Sequence, residues 1–213
     1  MFLVLVSFLI LIVPIINGQN FRLSTETLDK AEQKYGSSAR KRLIAWEKLI
    51  TNDTSRTDLE KLEKVNNFFN MMQYVEDIYL WKQKDYWATP IEFLGNQAGD
   101  CEDYAIAKYF TLRAMGVDDE KLNLTYVKAL TYGVHHMVLA YYPSPGEEPF
   151  ILDNYETGIH PASKRKDLFP IYSFNGTGLW LAKQRGKGKL AGSSSRLQRW
   201  QDVMRKMAQD DLG

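Results

Sequence analysis

The single cysteine of the chain lies in a short acidic run, Gly99-Asp100-Cys101-Glu102-Asp103. Residues 101–115 have a helical pattern that ends at Gly116, so Cys101 is predicted in the first turn of a helix. The positive end of the helix dipole lowers the pKa of a thiol there and favours the nucleophilic thiolate. The alternative is a small, buried apolar side chain without chemistry.

The acids beside this thiol oppose its ionisation. Asp100, Glu102 and Asp103 lie within two residues of Cys101, and nearby negative charges raise the pKa of a thiol. A hard divalent cation would neutralise them, and carboxylate oxygens are the ligands that calcium prefers. In the plainer interpretation, Asp100 caps the helix while Glu102 and Asp103 are solvated acids of its first turn.

A cysteine nucleophile needs a general base, and the base needs a group that orients it. The three histidines are His135, His136 and His160. Side chains alternate along a strand, so His135 and His136 point to opposite faces and one of them can face Cys101. Asp153 ends the next predicted strand, and adjacent antiparallel strands can place a histidine beside an aspartate. A surface histidine and a turn aspartate are the ordinary alternatives.

The elements that must position these residues begin with helices. Helical patterns cover 25–35 and 38–50, and Thr57 with Glu60 has the spacing of a capping box that opens a longer helix. Its apolar positions recur every three or four residues, which predicts one buried face. They are Leu59, Leu62, Val65, Phe69, Met72, Val75 and Ile78.

Strands follow the helices. Residues 85–99 contain a proline and two glycines and are predicted to be a loop before the cysteine helix. Apolar runs at 122–130, 137–142 and 150–152 predict antiparallel strands, and 171–174 with 179–181 predict a further hairpin. Helices followed by strands indicate an α+β fold rather than alternating β-α-β units.

Both ends of the chain differ from its centre in composition. Residues 1–16 are apolar and uncharged, which is short for a bilayer span of roughly 20 residues but typical of a signal peptide; an uncleaved anchor is the alternative. Residues 183–195 are rich in Lys, Gly and Ser and predict a linker before a last helix. We expect a signal peptide over 1–18, a domain over 19–182, and a basic linker with a C-terminal helix over 183–213.

The last helix has one apolar face, and packing on the domain or binding a partner would both use it. That face consists of Leu197, Trp200, Met204 and Met207.

The overall composition excludes several classes of protein. Hydrophobic residues make up 45% and charged residues 25%, as in an ordinary globular protein. With 27 basic and 26 acidic residues, the chain lacks the basic excess of a nucleic-acid-binding domain. Exported proteins use cysteine mostly in disulfides, and a single cysteine cannot form an internal one. An exported free thiol therefore favours a nucleophile.

The sequence resembles the bacterial transglutaminase-like cysteine proteases, in particular the periplasmic LapG-type proteases. The resemblance spans about residues 46–181. It is carried by Tyr86-Trp87-Ala88-Thr89-Pro90, by Gly99-Asp100-Cys101-Glu102-Asp103-Tyr104-Ala105-Ile106-Ala107-Lys108-Tyr109, by His136-Met137-Val138-Leu139-Ala140, by Leu152-Asp153-Asn154, and by Phe174-Asn175 with Gly178-Leu179-Trp180.

This resemblance implies a papain-like α+β core and a catalytic triad. By position, the nucleophile is Cys101, the base is His136 and the orienting residue is Asp153. His136 is preferred to His135 because it directly precedes Met-Val-Leu, where the family's histidine lies. A transglutaminase or amidase on the same triad, and a non-catalytic binding module on the same fold, are the alternatives.

The resemblance also implies a cofactor, a substrate and a regulator. Calcium would be bound by Asp100 and Glu102, with Asp103 as a further ligand. The substrate would be a large surface adhesin, cut near its N-terminus at a pair of alanines so that the biofilm disperses. An inner-membrane receptor for cyclic-di-GMP would sequester the protease in the periplasm.

Overall fold

The computed structural model describes residues 21–181 and 188–210, and the predicted signal peptide over 1–18 lies outside them. Within those two ranges the helices are α1 (Thr25–Tyr35), α2 (Ser37–Thr51), α3 (Asp58–Phe69), α4 (Asp77–Leu80), α5 (Pro90–Asn96), α6 (Cys101–Ala114) and α7 (Gln198–Gln209). The strands are β1 (Gln73–Tyr74), β2 (Ala98–Gly99), β3 (Leu122–Ala129), β4 (Val134–Tyr141), β5 (Phe150–Leu152), β6 (His160–Pro161), β7 (Leu168–Phe174), β8 (Gly178–Leu181) and β9 (Lys189–Ser193).

An antiparallel sheet of seven strands supports the site. Its strand order is β6-β5-β4-β3-β7-β8-β9, and β1 pairs separately with β2 in parallel. Helix α6 packs against β3 and β4, and its apolar side chains share one core with α2, α3 and α5. The α+β class is confirmed, and the strands predicted at 122–130, 137–142 and 150–152 correspond to β3, β4 and β5.

The prediction that helix α3 continues to Ile78 is wrong. Thr57 caps the helix as expected by accepting a hydrogen bond from the Glu60 N–H at 3.3 Å, but the helix ends at Phe69. The following residues form β1, which pairs with β2 directly before Cys101. This backbone pairing over a long sequence distance overrides the helical pattern, and Ile78 is 44% exposed.

The predicted loop at 85–99 contains a helix, α5, and strand β2. Thr89 accepts a hydrogen bond from the Glu92 N–H at 3.2 Å, and the Glu92 carboxylate accepts one from the Thr89 N–H at 2.9 Å. Pro90 occupies the first helical position, where its missing N–H costs nothing. The capping box is visible in the sequence as Thr-Pro-Ile-Glu, but a proline is also typical of loops, which is why a loop is predicted there.

The C-terminal residues belong to the same core as the rest of the domain. Residues 189–193, predicted as part of a linker, form strand β9 and pair with β8. In α7 the side chains of Trp200 and Met207 are buried in the main core, while Met204 is 37% exposed. Packing on the domain is therefore the role that α7 has here. Along the described chain we find no helix that is both long and apolar enough for a bilayer.

We expect Trp200→Ala to lower the free energy of unfolding by about 3–5 kcal/mol, because a buried aromatic side chain is removed. Trp200 is 1% exposed, and its ring stacks on Phe110 at 5.4 Å between centroids. Denaturant unfolding followed by circular dichroism measures this loss. Met204→Ala, on the exposed side of the same helix, is the matched control and should change little. Two separate transitions in the wild type would contradict a shared core.

Candidate active site

Cys101 begins helix α6 and lies against strand β4. Its side chain is 6% exposed, and the thiol donates a hydrogen bond to Glu102 Oε2 at 2.8 Å. Burial, followed by the charges of Glu102 and Asp100, raises the pKa of the Cys101 thiol well above its usual value, and the backbone N–H of Met137 on β4 acts in the opposite sense. Burial and these two carboxylates therefore oppose ionisation of the thiol, as the acids beside it in the sequence predict.

His136 is fully buried on β4, and its two ring nitrogens differ in their surroundings. Nε2 lies 2.7 Å from Asp153 Oδ1, whereas the buried Nδ1 has no hydrogen-bond partner among the residues that the structure describes. An ionised carboxylate only accepts hydrogen bonds, so Nε2 carries a proton and a neutral ring leaves Nδ1 as a proton acceptor. The ring of Tyr155 stacks on the imidazole at 4.2 Å between centroids.

The other two histidines are placed elsewhere. His135 points away from His136 on the opposite face of the sheet, where it is exposed and stacks on Tyr126 at 5.2 Å between centroids. His160 lies on β6 near Glu156, with 3.6 Å between Nε2 and Oε1. The alternation predicted for His135 and His136 is present, and His136 is the buried histidine of the two.

Asp153 directly follows β5, and four donors surround its carboxylate. Oδ1 accepts hydrogen bonds from His136 and from the backbone N–H groups of Asn154 at 2.6 Å and Tyr155 at 3.1 Å. Oδ2 accepts one from Arg165 Nη2 at 2.8 Å. Burial alone would raise the pKa of Asp153, but these hydrogen bonds and charges hold it well below its usual range.

The backbone of Asp153 is also fixed. Its carbonyl oxygen accepts hydrogen bonds from Lys108 Nζ and from Asn70 Nδ2, both at 3.0 Å. Lys108 lies two turns after Cys101 on α6 and is 1% exposed; burial lowers its pKa to about 7, against the opposing charge of Asp153. This buried lysine connects the helix of the thiol to the strand end of the carboxylate. The sequence analysis missed Asn70, Lys108 and Arg165.

A second group of side chains lies beside Cys101 and contains all three predicted metal ligands. Asp100 and Glu102 have ligand atoms within 4.8 Å of each other, as do Asp100 and Asp103. The structure adds Asp77 of α4, which the sequence analysis missed and which the pairing of β1 with β2 brings next to Asp100. We call Asp77, Asp100, Glu102 and Asp103 the acidic cluster.

The plainer interpretation of these acids fails for two of them. Asp100 is the N-cap residue of α6, but its side chain makes no capping hydrogen bond. Asp103 is fully buried and not solvated. Asp103 Oδ1 accepts a hydrogen bond from the Ala88 N–H at 2.7 Å, and a Cβ atom at Gly99 would collide with Oδ2 of the same carboxylate. Glycine at position 99 thus leaves room for the acidic cluster.

The carboxylates of the acidic cluster repel one another and are partly buried, which are conditions that a bound cation would relieve. Burial first, and then the neighbouring carboxylates, raise the pKa of Asp77 to about 6 and that of Asp100 to about 11. Each of these residues and Asp103 has one buried carboxylate oxygen without a hydrogen-bond partner in the described part of the chain. Unpartnered buried carboxylate oxygens from several residues are what a hard divalent cation would satisfy.

Comparison with known proteins identifies the family. Residues 40–181 match the model of the bacterial transglutaminase-like cysteine proteinases, and this chain belongs to that family. The structure of Legionella pneumophila LapG is 43% identical and covers 91% of this chain and 99% of its own, with a TM-score of 0.75. Comparison with curated proteins gave no match.

Two further structures of the Legionella pneumophila protein are also similar. An EGTA-treated form is 43% identical over 91% of this chain and 99% of its own, with a TM-score of 0.76. A calcium-bound form is 46% identical over 87% and 99%, with a TM-score of 0.73. This chain is therefore a LapG-like cysteine proteinase that acts on substrate proteins, and it has a relative crystallised with calcium.

We expect Asp153→Asn to lower the free energy of unfolding by about 3–5 kcal/mol at neutral pH, because the buried Arg165 guanidinium loses its carboxylate partner. The folded pKa of Asp153 is depressed, so its contribution is complete above the unfolded value of about 3.9 and is lost as pH falls towards the folded value. Urea unfolding of both proteins between about pH 7 and pH 3 measures the difference. Asp202→Asn, which changes an exposed aspartate, is the control, and a difference independent of pH would contradict the assignment.

Proposed function

We propose that this protein is a calcium-dependent cysteine endopeptidase with Cys101 as nucleophile, His136 as base and Asp153 as orienting residue. The observation that carries the proposal is the 2.7 Å contact between His136 Nε2 and Asp153 Oδ1, together with the unpartnered Nδ1 of the same ring. His136 therefore has the tautomer that a general base needs, and it lies on the strand that packs against the helix of Cys101.

In the proposed mechanism the Cys101 proton moves to His136 Nδ1 and the thiolate sulfur attacks the scissile carbonyl carbon. The resulting imidazolium returns the proton to the leaving amine, and a thioester with Cys101 remains. Water then attacks this thioester, His136 accepts a proton from the water, and the thiol is regenerated. Asp153 holds the ring and stabilises its charged form throughout. The backbone N–H of Cys101 is a candidate donor to the oxyanion.

The acidic cluster would hold the calcium ion in this proposal. Its buried, unpartnered oxygens on Asp77, Asp100 and Asp103 suit a hard cation, and the calcium-bound relative supports the choice of metal. When bound, the ion supplies positive charge that offsets the carboxylates beside the thiol. Glu102 accepts the hydrogen bond of the thiol, so this hydrogen bond must break before the thiol can give its proton to His136.

The cellular role in the proposal rests on family membership and on the resemblance to LapG-type proteases. The substrate is a large surface adhesin, cut near its N-terminus at a pair of alanines, and cleavage releases cells from a biofilm. An inner-membrane receptor that senses cyclic-di-GMP sequesters the enzyme. The apolar residues 1–16 support export to the periplasm.

We expect Cys101→Ala and His136→Ala each to abolish cleavage of the host's largest surface adhesin, with losses of about a thousandfold or more. His135→Ala, which changes the adjacent and exposed histidine, is the matched control and should retain activity. Gel analysis of adhesin fragments measures cleavage, and circular dichroism checks folding. Retained cleavage in Cys101→Ala would refute the proposal, and incorporation of a labelled primary amine in place of hydrolysis would favour a transglutaminase.

We expect a calcium chelator to suppress this cleavage, and Asp77→Asn or Asp100→Asn to weaken calcium binding at least tenfold. Each substitution removes a charged ligand from a site whose oxygens otherwise lack partners. Isothermal titration with calcium chloride measures the affinity, and bound ion should raise unfolding stability by about 2.7 kcal/mol at a hundredfold excess over Kd. Glu63→Gln, an exposed acid outside the cluster, is the control. Full activity in excess chelator would contradict the calcium site.

A further inference from the structure

Arg165 contacts the orienting residue of the proposed triad, Asp153, on the oxygen that His136 does not use. It follows a short 3-10 turn, Ala162–Lys164, between β6 and β7, and its backbone N–H donates to the Ala162 carbonyl at 3.0 Å. The residue is only 7% exposed, so its guanidinium extends inwards. Nη2 donates to Asp153 Oδ2 at 2.8 Å. A buried arginine on the orienting carboxylate is not needed for the acid–base steps described above.

The two oxygens of Asp153 have separate donors. Oδ1 accepts from His136 Nε2 at 2.7 Å, and Oδ2 accepts from Arg165 Nη2. The backbone N–H groups of Asn154 and Tyr155 also hold Oδ1, and Arg165 is the donor to Oδ2, so the guanidinium and these two N–H groups together fix the plane in which Oδ1 meets the imidazole. The direction of the ring, and with it the direction of the unpartnered Nδ1, depends on that plane.

Arg165 is itself held in place by a second acid. Asp167 accepts from Nε at 3.0 Å and from Nη2 at 2.8 Å. A guanidinium can serve two carboxylates at once because its donors form a rigid, planar fork, whereas a lysine offers one compact charge. Asp167 bonds to Arg165 and to no group of the proposed triad among the hydrogen bonds of the described residues, and its side chain is 34% exposed. It therefore provides a way to loosen Arg165 without touching the triad.

The buried, negatively charged Asp153 carboxylate is also stabilised by positive charge nearby, which Arg165 supplies. The Asp153 carboxylate or its backbone bonds to His136 from β4, Arg165 from the loop before β7 and Lys108 from α6. Asp167 and Tyr155 also interact with it electrostatically. Arg165 Nη1 is buried without a hydrogen-bond partner in the described ranges, which costs stability. The Nε and Nη2 groups of the same guanidinium are paired with the carboxylates of Asp167 and Asp153.

We propose that Arg165 is a positioning residue of the active site, which fixes the Asp153 carboxylate and through it the orientation of the His136 ring, whose Nδ1 accepts the Cys101 proton in the proposed mechanism. This inference rests on the proposed function. Arg165 does not contact the thiol, and it acts through Asp153 alone. The competing explanation is that Arg165 only joins the β6–β7 loop to the core.

The test compares Arg165→Met, Arg165→Lys and Asp167→Asn in the full chain with calcium present. We expect Arg165→Met to lower kcat for adhesin cleavage about ten- to a hundredfold, which is the loss found when an outer hydrogen-bond partner of a metal-ligating histidine is removed. KM should stay within about twofold of the wild type. Arg165→Lys should recover part of kcat, and Asp167→Asn should lower it less than Arg165→Met does. Arg205→Met, which removes an exposed ion pair with Asp202, should leave kcat unchanged.

Two readouts separate positioning from loop anchoring without a peptide substrate. The downfield proton resonance of the His136–Asp153 hydrogen bond should broaden or shift in Arg165→Met, and alkylation of Cys101 by iodoacetamide should slow by a similar factor to kcat. If Arg165→Met does not fold, Arg165→Lys and Asp167→Asn give the same comparison. A wild-type resonance with wild-type kcat in the folded variants overturns the inference. Retained cleavage in Cys101→Ala overturns the proposed function instead.

Discussion

The buried, ionised carboxylate of Asp153 is the constraint on which the arrangement of the site depends. A lone carboxylate would be expensive to bury, so its neighbours must supply donors and positive charge from several elements at once. Strand β4 supplies His136, helix α6 supplies Lys108, and the loop before β7 supplies Arg165. Because these donors are rigidly placed, the same contacts that make burial tolerable also set the tautomer and the direction of the imidazole.

The acidic cluster differs from Asp153 because its carboxylates outnumber the donors that the described residues offer them. There the pairing of β1 with β2 brings Asp77 to the start of α6, where it joins Asp100 and Asp103, and Asp100 with Glu102 lies beside the thiol. Hydrogen bonds from the protein leave several of their oxygens unpartnered in the described chain, and the thiol donates to Glu102. The fold thus concentrates negative charge where the proposed nucleophile must ionise, which explains why an added cation would matter.

Local signals in the sequence predicted most elements, and long-range contacts decided the rest. The cap at Thr57 and the three strands at the centre of the sheet follow from spacing and periodicity, which are properties of neighbouring residues. The early end of α3 depends on pairing with residues some 25 positions later, which no local pattern contains. For the same reason Asp77 and Arg165 were missed, since each resembles an ordinary surface charge until the fold buries it. The helix after Thr89 could have been predicted from its capping box.

The negative charge of Asp153 and that of the acidic cluster are balanced in different ways. Asp153 is a single carboxylate, and Arg165 together with Lys108 balances it from within the chain. Asp100 and Glu102 lie beside the thiol, Asp77 and Asp103 lie beside Asp100, and Asp77, Asp100 and Asp103 each keep one buried carboxylate oxygen without a hydrogen-bond partner in the described structure. In the proposed function, a cation bound by the acidic cluster would offset these carboxylates, so that ionisation of Cys101 would depend on its binding. The contact between His136 and Asp153, in contrast, is formed by residues of the chain itself.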